Sequence, residues 1–230
     1  MFSRSEMLLG SDALIKLNSS HVALFGVGGV GGFIAEALIR SGVGNLDVFD
    51  GDTVDLSNIN RQVISDVSNV GKDKVSVIKE RLNKINPSAK IGAKKIFFMP
   101  ENSNEIDFGK YDYVIDAVDT VTAKIEIIKK AKEQGVKIIS CMGTANKLDV
   151  SALKVADIEK THTCPLARVM RRELKARNIN KVKVVFSTEQ PIKSQFESEE
   201  NGKKIQPSTI FVPASAGLLV ANEVVLDLIK

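Results

Sequence analysis

Short apolar runs alternate with amphipathic stretches along the first 145 residues. The apolar runs lie at about 21–26, 46–50, 91–98, 111–117 and 136–140, and stretches with helical spacing lie at about 32–41, 72–85 and 123–134. Strands that alternate with helices in this way predict a parallel sheet with crossover helices. Residues 1–20 have a looser helical period and predict a helical lead-in. The pattern therefore predicts a doubly wound α/β fold with a mostly parallel, Rossmann-like sheet.

The pattern changes after about residue 145. Apolar runs at about 148–156 and 181–186 predict two strands around a basic helix at 165–177, and an apolar helix follows residue 211. The polar segment 189–207 is rich in Ser, Glu and Lys and predicts a mobile loop. We therefore expect a single domain over residues 1–230. Residues 1–145 are its nucleotide-binding core, and residues 146–230 are a small β/α extension on the substrate side.

The two cysteines and the hydropathy exclude several classes of protein. Cys141 and Cys164 give no disulfide framework and no C-x-x-C pair that could hold zinc. No apolar run reaches the roughly 18 residues of a membrane-spanning helix. The nearest stretch, 214–229, contains Asn222, Glu223 and Asp227. We expect a reducing, cytoplasmic setting, and the terminal apolar helix leaves peripheral membrane association open.

Positive charge is concentrated in one segment. The formal net charge is +4, but residues 160–183 alone carry eight Lys or Arg against one Glu. A localised basic segment predicts an anionic partner. Four of its cations recur at helical spacing and predict a stripe that contacts nucleic-acid phosphates, with an ordinary solvated face as the alternative: Arg168, Arg171, Arg172 and Lys175.

A glycine-rich turn follows the first predicted strand, and an acid ends the second. Gly26 lets the chain turn tightly, Gly28 and its neighbour Gly29 let the backbone approach a phosphate, and Gly31 lets the helix lie close to the strand. Asp50 is placed to accept hydrogen bonds from ribose hydroxyls. These five residues predict a nucleotide site, and a nicotinamide dehydrogenase is one alternative for it.

Polar and cationic residues follow the ribose-binding position. Asp52, Ser57, Asn58 and Arg61 lie just beyond it, and Lys74 lies near the start of the next helix. Two cations with several hydrogen-bond donors suit a triphosphate better than a nicotinamide ring, which needs a dry, apolar slot. The alternative is that Arg61 and Lys74 are ordinary surface charges.

A carboxylate follows the strand at 111–117. Asp119 lies at the carboxyl edge of the predicted sheet, where open α/β folds bind ligands, and Thr120 follows it. A carboxylate opposite phosphate-binding cations indicates Mg²⁺, which prefers oxygen ligands. The sequence leaves open whether Asp119 instead caps the next helix. It also leaves open whether Asp116 is the metal ligand or a buried, hydrogen-bonded acid.

Together these motifs resemble the ubiquitin-activating-enzyme-like, ATP-dependent adenylating family, which includes the molybdopterin- and thiamine-synthesis activating enzymes. The resemblance lies in residues 26–31, Asp50 with Asp52, residues 57–62, Lys74, and Asp116 with Asp119. It implies that a substrate carboxylate attacks the α-phosphate of ATP, so that an acyl-adenylate forms and pyrophosphate leaves.

The resemblance also implies roles for individual residues. Asp50 would hold the ribose, Ser57 and Asn58 the phosphate side, and Asp119 the Mg²⁺ ion, with Asp52 and Thr120 beside the nucleotide. Arg4 resembles the arginine that this family donates across a homodimer to the neighbouring ATP. The implied catalytic residues are Arg4, Arg61, Lys74 and Asp119.

The C-terminal half resembles the tRNA threonylcarbamoyladenosine dehydratase branch of that family. The similarity lies in residues 160–161, 165–174, 185–189 and 211–219, whereas Cys164 stands where an acid is expected. It implies that ATP activates the threonyl carboxylate of the modified adenosine in tRNA, after which the carbamoyl group attacks and closes a ring with loss of water. A tethered attacker needs no enzyme thiol.

Two other functions stay open at this point. One is an enzyme that adenylates the C-terminal glycine of a ubiquitin-like sulfur-carrier protein, which would need Cys164 or Cys141 as a thiol and would work with a sulfur-transfer protein. The other is a nucleotide-dependent, non-catalytic tRNA-binding adaptor. Cys141 is interpreted as a buried strand-end residue, and His162 lies two residues from Cys164.

Overall fold

The computed structural model describes residues 1–194, 196, 199–200, 203–204 and 206–230. Its main sheet has seven strands in the order β3-β2-β1-β4-β5-β7-β6. All neighbouring strands are parallel except β6 and β7, which are antiparallel. The strands are β1 His21–Phe25, β2 Asn45–Asp50, β3 Lys90–Lys95, β4 Tyr113–Asp116, β5 Lys137–Cys141, β6 Leu153–Asp157 and β7 Lys183–Ser187, and a separate short pair is β8 Glu199–Glu200 with β9 Lys203–Lys204.

Helices cover both faces of this sheet. They are α1 Ser3–Leu9, α2 Ser11–Ser19, α3 Gly31–Ser41, α4 Lys74–Ile85, α5 Val121–Glu133, α6 Pro165–Ala176 and α7 Phe211–Ile229. Buried side chains of α3, α4 and α7 form one apolar core, and those of α5 and α6 form the other. The predicted doubly wound α/β fold is therefore confirmed.

Several element boundaries differ from the sequence prediction. The strand predicted at 148–156 begins only at Leu153, after a 3-10 turn at Val150–Ala152. The helical lead-in divides into α1 and α2 at Gly10, whose φ of +87° lies in the left-handed region that favours glycine. The strand predicted to reach residue 98 ends at Lys95, after which residues 96–99 line a cavity. This departure from the sheet brings Phe97 to the carboxyl ends of the strands.

Residues 146–230 extend the same sheet. β7 pairs with β5, β6 pairs with β7, and α7 lies against α3. Asp227 of α7 accepts hydrogen bonds from Lys183 Nζ at 2.6 Å and from the Tyr113 hydroxyl at 2.9 Å. These contacts fix α7 across β4 and β7. The predicted mobile loop at 189–207 lies partly outside the described residues, which omit 195, 197–198, 201–202 and 205.

α7 is apolar along much of its length. By length and composition alone it could cross a membrane, although core helices of soluble proteins meet the same criterion. Val220 and Val224 are fully buried in the core beside α3, and Glu223 pairs with Lys183 at 3.1 Å. The contacts of α7 in this fold are therefore those of a core helix.

Candidate active site

A cavity of about 910 Å³ opens at the carboxyl ends of β1, β2, β4 and β5. Open α/β sheets bind their ligands at this edge, and the volume lies within the usual range of roughly 300–1,000 Å³ for small-molecule sites. Most of the residues predicted from sequence line it, namely Gly26, Gly28, Gly29, Asp50, Asp52, Asn58, Arg61, Lys74, Asp119 and Thr120. Motifs that are far apart in the chain therefore meet at one place.

Some predicted residues do not line this cavity. Arg4 is exposed on α1, and the four cations of α6 lie elsewhere on the surface. Gly31 lets the start of α3 pack closely against the turn, because a Cβ there would lie 1.8 Å from the Gly26 carbonyl oxygen. Ser57 contributes its backbone, which accepts a hydrogen bond from Arg61 Nη1 at 2.8 Å.

The turn after β1 requires glycine at Gly26 and leaves room for a ligand at Gly28. Gly26 has a φ of +88°, and a Cβ there would lie 2.7 Å from the Ala117 carbonyl oxygen. At Gly28 the nearest atom to a Cβ would be Gln62 Nε2 at 3.8 Å, so the backbone faces open space. Helix α3 begins directly after this turn, and its first-turn amides with their partial positive charge favour an anion.

Asp50 is held by the backbone around it. Its two carboxylate oxygens accept hydrogen bonds from the amides of Val27 and Asp52, each at 2.8 Å. Burial raises the pKa of the Asp50 carboxyl above its usual value, although the Lys74 ammonium and these amides act in the opposite direction. Each oxygen keeps a further lone pair, so the fixed carboxylate can accept hydroxyl donors from a ribose.

Two cations face the cavity from the segment after β2. Lys74 is the first residue of α4 and is nearly buried, and its Nζ lies 2.7 Å from Asp52 Oδ2. Arg61 donates to the Ser57 carbonyl and, at 2.9 Å, to Asn60 Oδ1. Neutral acceptors therefore orient the guanidinium without cancelling its charge. Asn58 stabilises the same turn by accepting the Asp55 amide at 3.2 Å.

The acid that ends β4 and the acid that follows it have different surroundings. Asp116 is fully buried, where Lys124 Nζ lies 2.9 Å away and the Ser140 hydroxyl donates at 2.5 Å. The sequence left two roles open for Asp116, and the structure shows a buried, hydrogen-bonded acid. Asp119 is exposed, lines the cavity, and accepts a weak bond from the Thr120 hydroxyl at 3.3 Å. Thr120 makes no side-chain cap on α5.

The donor set suits Mg²⁺ bound together with a polyphosphate. The described residues contain no group of three or more His, Cys, Asp or Glu that could hold a metal by itself. Mg²⁺ typically keeps several waters and binds through one or two carboxylates plus substrate phosphates. Asp119 supplies one such carboxylate, facing the same cavity as Arg61 and Lys74.

The cysteines lie at the floor of the cavity. Burial raises the pKa of the Cys141 thiol to about 12, which keeps it protonated and weakly nucleophilic near neutral pH. Cys164 is buried against Ala167 and Met170 at the start of α6. Cys141 is thus the buried strand-end residue expected from the sequence, and neither thiol is exposed for transfer to a protein partner.

The cations of α6 divide into two groups. Arg171 is partly buried and donates to the Thr161 carbonyl and hydroxyl oxygens, at 2.7 and 2.5 Å. The other three are exposed and recur four and three residues apart, which puts them on one face of the helix: Arg168, Arg172 and Lys175. Arg172 also pairs with Glu173 at 2.9 Å.

Sequence reasoning assigned no role to several residues of this site. Gln62 is buried beside Gly28, and its Oε1 has no hydrogen-bond donor among the described residues, which suits an acceptor for a bound ligand. The exposed Phe97 ring lies over Gly51, where a Cβ would approach it to 2.5 Å, and offers a face for base stacking. Lys147 is a buried lysine that lines the cavity, and Lys124 is a fully buried lysine that does not line it.

Comparison with known proteins agrees with this geometry. The tRNA threonylcarbamoyladenosine dehydratase of Bacillus subtilis is 44% identical over all of this chain and 94% of its own length. The enzyme of that name from Escherichia coli is 34% identical over 76% of this chain and 65% of its own length. Solved structures of the E. coli enzyme with AMP and with ATP match with TM-scores of 0.90 and 0.89 at 30% identity, covering 99% of this chain and 93% of theirs.

The cavity, its glycine turn and its cations are the features expected of an adenylating enzyme. The family model described as the ThiF family matches residues 2–227, which include every residue that lines the cavity. On these grounds the chain belongs to the ThiF family of adenylating enzymes.

Proposed function

We propose that this chain is an ATP-dependent tRNA threonylcarbamoyladenosine dehydratase. The observation that carries the proposal is the single cavity in which Asp50, Arg61, Lys74 and Asp119 converge. The relatives that share this fold over nearly the whole chain bear that name, and one of them is solved with ATP bound. Two buried thiols at the cavity floor offer no support for a sulfur-carrier substrate.

Different residues of the cavity bind different parts of ATP. Asp50 and Phe97 orient the nucleoside, and Arg61 and Lys74 bind the phosphates. Transfer of AMP to a carboxylate concentrates negative charge on the α-phosphate and the leaving pyrophosphate, and preorganised cations stabilise that charge. Mg²⁺ held by Asp119 would add Lewis-acid stabilisation at the phosphate oxygens. The carbamoyl group then closes the ring within the substrate.

Mass spectrometry of tRNA nucleosides tests this function directly. After incubation with ATP and Mg²⁺, tRNA that carries threonylcarbamoyladenosine should yield a nucleoside lighter by one water, with one AMP formed for each product. The α,β-methylene analogue of ATP should give none, because it cannot release pyrophosphate. Release of ADP, or binding of the tRNA without any change in the nucleoside, would contradict the proposal.

The exposed cations of α6 are proposed to contact tRNA phosphates. Replacing Arg168, Arg172 and Lys175 together by Ala should weaken tRNA binding and lower the slope of log K against log salt by about 2–3, since each phosphate contact contributes roughly 0.7–0.9. Filter binding between low and moderate salt measures this slope. A charge-matched control replaces Lys79, Lys84 and Lys90, which are exposed on α4 and β3. Equal slopes in both triple variants would contradict the assignment.

A homodimer is proposed because Arg4 lies away from the cavity of its own chain. The first two helices also expose three large apolar side chains, Met7, Leu8 and Ile15. Exposed apolar clusters of this kind mark interaction surfaces. In a symmetric dimer the α1 helix of each subunit can then deliver Arg4 to the cavity of its partner.

Mixing two inactive variants tests whether Arg4 is shared. Arg4→Ala and Asp119→Ala chains, unfolded together and refolded at equal amounts, should recover about one quarter of wild-type activity, because half of the dimers are mixed and each mixed dimer has one intact site. ATP–pyrophosphate exchange measures the recovery. If Arg4 acted within its own chain, every site in the mixture would lack one residue and no activity would return.

A further inference from the structure

A nearly buried lysine lines the cavity on the side away from the nucleotide cations. Lys147 is 4% exposed, and its Nζ donates to the Gly143 carbonyl at 2.6 Å. No carboxylate of the described residues lies within ion-pair distance of it, in contrast to Lys74 and Lys124. An ammonium has three donors, and a buried charge is costly unless an anion or further acceptors compensate it.

The position of Lys147 in the sheet separates it from the phosphate-binding cations. Arg61 and Lys74 follow β2, whereas Lys147 follows β5, and β1 and β4 lie between them. With strands about 4.8 Å apart, the carboxyl end of β5 lies roughly 14 Å from that of β2. Lys147 therefore lines the part of the cavity beyond Asp119, and a second substrate that approached the phosphates from this side would meet its ammonium.

The loop that carries Lys147 is held in its conformation by hydrogen bonds from distant segments. Asn146 has a φ of +61°, which is strained for a residue with a side chain. Its amide donates to the Pro207 carbonyl at 2.8 Å, and its carbonyl accepts the Ile192 amide at 2.8 Å. On the other side of Lys147, the Leu148 amide donates to the Glu189 carboxylate at 3.0 Å. Segments distant in sequence thus hold the ammonium at one place, which is what a substrate-positioning group requires.

We propose that the Lys147 ammonium binds the carboxylate of the acyl substrate, a role that rests on the function proposed above. A carboxylate that approaches a triphosphate is repelled by like charge and must lose its hydration. The two donors of Lys147 that remain free of Gly143 can replace that water and neutralise the charge until AMP is transferred. Lys147 would then select an anionic substrate over a neutral one of the same shape.

Discrimination between a free acid and its methyl ester tests this role. The ligands are RNA anticodon stem-loops that carry threonylcarbamoyladenosine as the acid or as the methyl ester, bound in the presence of Mg²⁺ and the α,β-methylene analogue of ATP. Wild type should prefer the acid by about 10- to 100-fold, the range for a hydrogen bond to a charged group. Lys147→Gln should bind both equally while its Kd for the ATP analogue changes less than about twofold, and Lys147→Arg should keep part of the preference.

The controls distinguish the possible failures. Lys154→Gln, which removes an exposed charge on β6, should match wild type in every readout. The assignment is overturned if Lys147→Gln keeps the acid preference, or if its affinity for the ATP analogue falls as much as that for the RNA. If wild type does not convert modified tRNA at all, the proposed function itself fails and this role fails with it. Because that assay uses no variant, the two failures are distinguishable.

Discussion

Replacing Lys124 by Met is expected to destabilise the fold by about 3–5 kcal/mol, the usual cost of leaving one partner of a buried ion pair uncompensated. Lys124 and Asp116 have no exposed surface, and their charged atoms lie 2.9 Å apart. Lys124 Nζ also donates to the carbonyls of Val118 and Cys141, at 2.9 and 2.8 Å. One side chain thus joins the ends of β4 and β5. Its loss leaves the Asp116 carboxylate without its cation, although the Ser140 hydroxyl still donates to it, and removes one donor from each of the two carbonyls.

Urea unfolding measures this effect as a lower midpoint at an unchanged m-value. The matched control is Lys129→Met on the same helix, whose Nζ lies 3.5 Å from Glu126 but is 43% exposed. An exposed pair of that kind contributes about 0–1 kcal/mol. Equal midpoints for the Lys124 and Lys129 variants would contradict the buried role of Lys124. The double variant Asp116→Asn with Lys124→Met should lose less stability than the two single changes summed.

Local motifs made the nucleotide half of the site predictable. Gly26, Gly31 and Asp50 lie on consecutive elements, and strand, turn and helix periodicity fixes their positions without knowledge of the rest of the fold. Arg61, Lys74 and Asp119 follow from the rule that parallel strands present their carboxyl ends at one edge. In the structure all of these residues except Gly31 line one cavity, and their roles toward a nucleotide stay predictions.

Residues with similar positions in the sequence differ in burial, and this difference separates their roles. Asp116 ends β4 and Asp119 lies three residues beyond it, yet Asp116 is fully buried against Lys124 and Asp119 is exposed in the cavity. Arg171 and Arg172 are adjacent, yet only the Arg171 guanidinium donates hydrogen bonds to Thr161, ten residues earlier. Such differences depend on which helix face meets the sheet.

The position of Lys147 in the cavity could not be predicted from the sequence, because it depends on contacts between distant segments. The loop with Lys147 is positioned by Ile192, Pro207 and Glu189, and no local pattern in the sequence predicts that they meet it. Lys124 did leave a local signal, because it lies among the apolar positions of α5 at helical spacing from Ile127 and Ile128, which are fully buried. A charged residue on a buried helix face indicates a buried partner.

Replacing Asp119 by Ala is expected to lower kcat for adenylation on the order of 10²–10³-fold, comparable to the loss of one preorganised electrostatic group. Asp119 is an exposed acid in the cavity, and among the described residues its one side-chain bond is the 3.3 Å contact from Thr120. The change should therefore leave the free energy of unfolding within about 0.5 kcal/mol of wild type, as for surface substitutions in general. ATP–pyrophosphate exchange across a Mg²⁺ titration measures both kcat and the Mg²⁺ requirement.

The Mg²⁺ titration separates a metal ligand from a general charge effect. Loss of a ligand should move the half-saturating Mg²⁺ concentration upward, and Asp119→Asn, which keeps one weak oxygen ligand, should lie between Ala and wild type. Glu133→Gln, at the far end of the same helix and exposed, removes the same charge and should leave the titration unchanged. A lower kcat at an unaltered Mg²⁺ midpoint would assign Asp119 to the nucleotide or to the α5 N-terminus instead of the metal. Such a result would make the Asp52 carboxylate, which lines the same cavity, the next oxygen ligand to test.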